Sequence, residues 1–68
     1  MINVGQKVRC RPYAGIRMLG FATSDEVVVG LVIYVNEDHR WFTVEYDDEH
    51  HFRVCFNFSD IGDTVWKI

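Results

Sequence analysis

The chain has 68 residues and a mass of 8.0 kDa. That is room for one domain, 1–68, and too little for both a catalytic scaffold and a pocket, so a non-enzyme without a cofactor is expected. With 49% hydrophobic and 25% charged residues it has the balance of a folded domain rather than of a disordered tail. Neither its opening MINVGQKVRC nor any later run has the apolar length of a signal peptide or a membrane span, so a cytoplasmic protein with no membrane partner is expected.

The net charge of −3 conceals an asymmetry. Residues 1–24 carry Lys7, Arg9, Arg11 and Arg17 and no acid, which is +4, whereas residues 25–68 carry ten acids against Arg40, Arg53 and Lys67, which is −7. Either the first strand pairs with the acidic strands that follow it, or the chain presents a basic edge to an anion and an acidic face to a cation. The two cysteines, Cys10 and Cys55, have no CxxC spacing, so neither a disulfide framework nor a zinc site is expected.

In chain order, Val4–Cys10 alternates apolar and polar residues with period two, the mark of a half-buried strand. Val4, Val8 and Cys10 should face inward, Lys7 and Arg9 should face water, and Pro12 should end the strand because it cannot donate to a ladder. Residues 11–26 keep no clean period and read as a long loop pinned by Ile16, Met18, Leu19 and Phe21. Thr23–Glu26 matches a helix capping box, but the valines that follow favour a strand.

Val27–Val35 is β-branched and aliphatic, with Gly30 marking a bulge or bend. Asn36–Arg40 closes a hairpin onto Trp41–Asp47, where Phe42, Val44 and Tyr46 should point in and Trp41, Thr43 and Glu45 out. Asp47–His50 makes the next turn. From His51 to Phe58 the apolar Phe52, Val54, Phe56 and Phe58 take one face, which puts Cys55 outside while Cys10 lies inside. Ser59–Asp63 reads as one helical turn and Thr64–Ile68 as a short last strand. Five short strands with this spacing describe an all-β, SH3-like small barrel, whose closure would remove the exposed edges of an open sheet.

The segment Gly30–Asn36, the turn Glu37–Arg40 and the strand Trp41–Tyr46 together resemble a pattern of small proteins of Firmicutes and their phages and mobile elements. That pattern runs as a Gly–Val–Tyr–Ile–Asn strand, a His-Arg turn and an aromatic–Thr–Val–Glu–aromatic strand. Val4–Val8 and the Phe52–Phe58 strand fit it too. Those proteins usually carry an acidic-serine element near position 55, where this chain has Val54 and Cys55. The resemblance implies a bacterial or phage source and no particular activity. At the level of fold the whole is similar to Tudor and KOW-type barrels, which bind nucleic acids, modified peptides or protein partners, although fold alone does not carry function.

Among the side chains that could carry chemistry, His39 and His50 flank the middle strand roughly 20 Å apart at about 3.3 Å per residue, so they cannot share a metal ion. His50 and His51 are adjacent and should point to opposite faces. His51 and Cys55 are about 13 Å apart along their strand, too far for a base and its nucleophile. The His39–Arg40 turn is either capped by Asn36 and Asp38 with Arg40 lying on Trp41 or Glu45, or is a partner-binding tip.

Tyr34, Trp41 and Trp66 are the residues expected to bind a protein partner. With Glu45 as the acid they could form a Tudor-like cage for a methylated cation, or they could cap the ends of a barrel. Lys7, Arg9, Arg11 and Arg17, with Tyr13 or Trp41 as a stacking platform, are the alternative, a nucleic-acid surface, although a pI near 5.4 runs against that reading. A third possibility is that the acids around 45–49 imitate DNA and inhibit a host nucleic-acid enzyme. The reading that leads is a non-catalytic module binding an unknown protein, with homodimerisation plausible for so small a core.

Overall fold

The computed structural model describes residues 2–12, 27–47 and 49–68. The long-loop reading beyond Pro12, the capping pattern at Thr23–Glu26, the stacking platform at Tyr13 and the cation Arg17 all lie outside the described residues. Within them the chain is all-β. Strands β1 (Lys7–Cys10), β2 (Val28–Asn36), β3 (Trp41–Tyr46), β4 (Phe52–Asn57) and β5 (Val65–Lys67) are joined at one point by a 3-10 turn over Phe58–Asp60. The ladders between strands are antiparallel, and the strands form one sheet in the order β4-β3-β2-β1-β5. No helix among the described residues is long and apolar enough to cross a membrane.

The period-two alternation sorts each strand into two faces. Val8, Cys10, Val32, Phe42, Val44 and Val65 are fully buried, and Ile2 and Phe56 complete the core. Phe42 is the centre of this layer, its ring 5.8 Å from Phe56 and 6.1 Å from Phe58. Close packing of β-branched and aromatic side chains on one face of a pleated sheet is the stabilising unit.

Cys10 is buried and Cys55 exposed, both as free thiols, as strand parity requires. Burial pushes the Cys10 thiol up to about 11, because the interior disfavours the thiolate. Gly30 faces the core, and the reason for a glycine there is the neighbour on β3. A Cβ at Gly30 would run into Val44 Cγ1 and sit 3.0 Å from the Glu45 carbonyl oxygen.

Four expectations are corrected. First, the sheet does not close into a barrel. The described ladder of β5 goes to β1 alone and that of β4 to β3 alone. The Gly62 N–H takes up the Val65 carbonyl at 2.7 Å. Second, Val4 is outside the strand and 64% exposed, and Ile2 is buried in its place. Gly5 at φ +90° breaks the alternation just before β1, a conformation that glycine enters freely.

Third, the bulge in β2 lies between Val32 and Tyr34, not at Gly30. The extra residue resets the parity, so that Tyr34 and Asn36 share the outward face with Val29 and Leu31. Fourth, Arg40 lies over the Phe58 ring, 5.8 Å from its centroid, rather than on Trp41 or Glu45. Arg40 has φ +60°, and the Asn36 Oδ1 accepts the His39 N–H at 3.0 Å within the same turn, as an Asx-type turn requires.

Candidate functional site

The face of the sheet opposite the core is where the expected site residues collect. Cross-strand register gives its rows. Trp66 of β5 stands opposite Arg9 of β1, and Arg9 opposite Val29 of β2. Lys7 stands opposite Leu31, Leu31 opposite Glu45, and Glu45 opposite Arg53. Beyond the bulge, Tyr34 pairs with Thr43 and Asn36 with Trp41. Val29 is 55%, Leu31 42% and Tyr34 44% exposed, so an apolar stripe runs the length of β2 on the solvent side. Directly opposed side chains on one face are neighbours, with Cβ atoms about 4.5–5.5 Å apart. Lys7, Arg9, Val29 and Leu31 therefore form a block of two cations beside two aliphatic side chains.

The three aromatics expected to act together are divided. Tyr34 and Trp41 are in edge contact, ring centroids 5.2 Å apart at 68°, a favourable arrangement for two rings. Trp66 is two strands away and five residues out of step, on the order of 15–20 Å at about 4.8 Å per strand and about 3.3 Å per residue. It is engaged instead by Arg11, whose guanidinium carbon lies 5.2 Å from the Trp66 ring centroid. Nor is Glu45 an unpaired acid. His51 Nδ1 donates to its Oε1 at 3.1 Å and Arg53 Nε to its Oε2 at 3.2 Å, and these bonds, His51 first, hold its carboxyl below the ordinary range. Tyr34, Trp41, Trp66 and Glu45 do not make one cage.

The cations of the nucleic-acid alternative behave differently from the acids. Lys7, Arg9 and Arg11 are exposed. Among the described residues the ion pairs are His50–Asp47, His51–Glu45 and Arg53–Glu45, and none of them involves β1. Glu45 and Asp47 of the β3–β4 hairpin find their partners in Arg53, His51 and His50, and the basic strand meets no carboxylate among the described residues. The pairing of the first strand with later acids is thus not made by the described side chains.

Two open grooves border these cations. One, of about 470 Å³, passes Arg9, Val27, Trp66, Lys67 and Ile68. The other, of about 370 Å³, has Lys7, Val29 and Leu31 on one side and Glu45 and Asp47 on the other.

The histidines go where parity sends them. His50 stacks on Phe52, ring centroids 5.2 Å apart and 8° from parallel, and its Nδ1 donates to Asp47 Oδ2 at 3.0 Å. That bond, helped by the backbone N–H groups of Glu49 and His50, lowers the Asp47 carboxyl. His51 turns to the other face and Glu45. Cys55 shares a hydrogen bond with the Thr43 hydroxyl at 3.3 Å. No three His, Cys, Asp or Glu side chains converge as metal ligands among the described residues.

Sequence reasoning missed Val29 and Leu31 as surface residues. Their run of β-branched and aliphatic residues carries no period-two signal that would assign them a face. The signal that could have found them is Gly30 itself: if the glycine faces the packed layer, its two neighbours must face away. Compared with family models, curated proteins and solved structures, the chain matches none.

Proposed function

We propose that this chain is a non-catalytic interaction module that binds a protein partner on the outward face of its sheet. The observation that carries the reading is the exposed apolar stripe Val29–Leu31–Tyr34 with Trp41 beside Tyr34. Contiguous exposed apolar surface on so small a domain is the usual mark of an interface, and aromatic anchors supply its binding energy.

The architecture belongs to the same proposal. The strand order β4-β3-β2-β1-β5 and the 3-10 turn before the last strand support an SH3-like arrangement. The resemblance of the Gly30–Tyr46 segment supports a bacterial or phage source.

The test is capture of the partner by the native chain, by Trp41→Ala and by Leu31→Asp, with circular dichroism to follow the fold and light scattering to read self-association against the 8.0 kDa monomer. Folded variants that lose the partner support the reading. Retention of the partner by both would refute it, and a Trp41→Ala chain that unfolds would make Trp41 a core residue and remove the aromatic anchor. A mass of twice the monomer, lost in Leu31→Asp, would identify the partner as a second copy.

A further inference from the structure

We infer that the partner segment seated on this face is acidic as well as apolar: an extended peptide stretch whose carboxylates meet Lys7 and Arg9 while its apolar side chains cover Val29 and Leu31. The inference rests on the proposed protein-binding role of the outward face and names the chemistry of the partner.

Three features of the face lead to it. Lys7 and Arg9 point outward from β1 and take part in no ion pair among the described residues, whereas Glu45 and Asp47, which face Lys7 across the 370 Å³ groove, are hydrogen-bonded by Arg53 and His51 and by His50. Among the described residues Lys7 and Arg9 are thus two charges without an ion-pair partner, although the chain as a whole carries −3. Each cation also stands directly opposite an exposed aliphatic side chain, Lys7 opposite Leu31 and Arg9 opposite Val29. A ligand filling this block must offer anionic and aliphatic groups about one strand spacing apart, roughly 5 Å.

An extended peptide does this, because every second side chain points the same way, about 6.6–7 Å apart. A nucleic acid does it poorly. Its phosphates would suit the cations, but its bases need flat rings to stack on. Trp66, which stands opposite Arg9, already has the Arg11 guanidinium over its ring. Charge complementarity thus favours an acidic peptide over a basic one, and the aliphatic block favours a peptide over a nucleic acid.

The experiment uses a synthetic peptide of repeated Asp-Asp-Leu-Leu, its Lys-Lys-Leu-Leu counterpart and an oligothymidine of similar length. Each is titrated into the isotopically labelled chain and followed by amide chemical shifts. The acidic peptide should shift the amides of Lys7, Arg9, Val29 and Leu31. Its affinity should fall as ionic strength rises from about 50 to about 200 mM. It should also weaken by about fivefold to tenfold in Arg9→Glu, with a parallel loss in Lys7→Glu.

Both variants change outward side chains, so unperturbed amide spectra elsewhere certify the fold. No shift with the acidic peptide, or equal binding of the basic one, overturns the inference, and tighter binding of oligothymidine at the same amides replaces it with a nucleic-acid site. A partner whose capture needs Trp41 but is indifferent to Arg9→Glu would remove this inference alone and leave the protein-binding role standing.

Discussion

Replacing Gly30 by alanine is the sharpest test of how the sheet is built. The backbone conformation of Gly30 is one that alanine can adopt, so the effect is one of space. The added methyl would collide with Val44 Cγ1, stand 3.0 Å from the Glu45 carbonyl oxygen and 3.5 Å from Tyr46 Cβ. Val44 is fully buried and β-branched, which leaves it little rotamer freedom. The Glu45 carbonyl belongs to the strand paired with β2, Glu45 standing opposite Leu31, so relief requires β2 and β3 to part.

Overpacking of this kind costs about 1–3 kcal/mol, offset by about 0.4–1 kcal/mol from the stiffer unfolded chain. At the midpoints of these ranges the net loss is about 1.3 kcal/mol, which in a domain of this size corresponds to a fall in Tm of roughly 5–10 °C. Thermal unfolding followed by tryptophan fluorescence measures it, with Val29→Ala as the companion. That side chain points to water and should change stability by less than about 0.5 kcal/mol. A Gly30→Ala protein as stable as the native one, or a larger loss from Val29→Ala, would refute the assignment of faces.

Two further outcomes follow from the thiols and the hairpin acids. A thiol reagent at pH 8 should modify Cys55 quickly and Cys10 only on unfolding, because Cys10 is buried and its pKa lies at about 11; two fast equivalents would contradict the packing. Glu45 has a folded pKa below the ordinary 4.5, so its contribution to stability is present above that value and is lost as pH falls through the folded pKa. Glu45→Gln should therefore lower the urea midpoint modestly at pH 7, and its difference from the native chain should shrink as pH drops under 4.5 and vanish once pH is below the folded pKa. A difference that persists into acid would show that the carboxylate is not the stabilising form.

Much of this was readable along the chain. The alternation in Trp41–Tyr46 and Phe52–Asn57 placed Phe42, Val44 and Phe56 inside, because a strand has only two faces and one of them must be buried. The acidic turn at Asp47 and the Asn36 turn were legible from side chains that bond their own backbone. What failed did so for identifiable reasons. Val4 was put inside by extending a period that Gly5, at φ +90°, interrupts. Tyr34, Trp41 and Trp66 were grouped because all three point outward, but pointing outward fixes only a face. The position of a side chain on that face depends on which strands are neighbours and in what register.

The sequence by itself determined the all-β class and the inward residues Val8, Cys10, Phe42, Val44 and Phe56, since period-two patterning and turn chemistry act within a few residues of each position. Only the tertiary structure decided that β5 pairs with β1 and leaves the sheet open, and that a bulge after Val32 carries Tyr34 to the solvent side. It also decided that the hairpin acids take their hydrogen-bond partners from β4 and the adjoining turn. These are choices among distant partners of nearly equal local merit. They are settled by packing, by register and by which charges come within about 4 Å of each other. The consequence is a basic first strand with no carboxylate among the described residues, lying beside an exposed aliphatic stripe on β2.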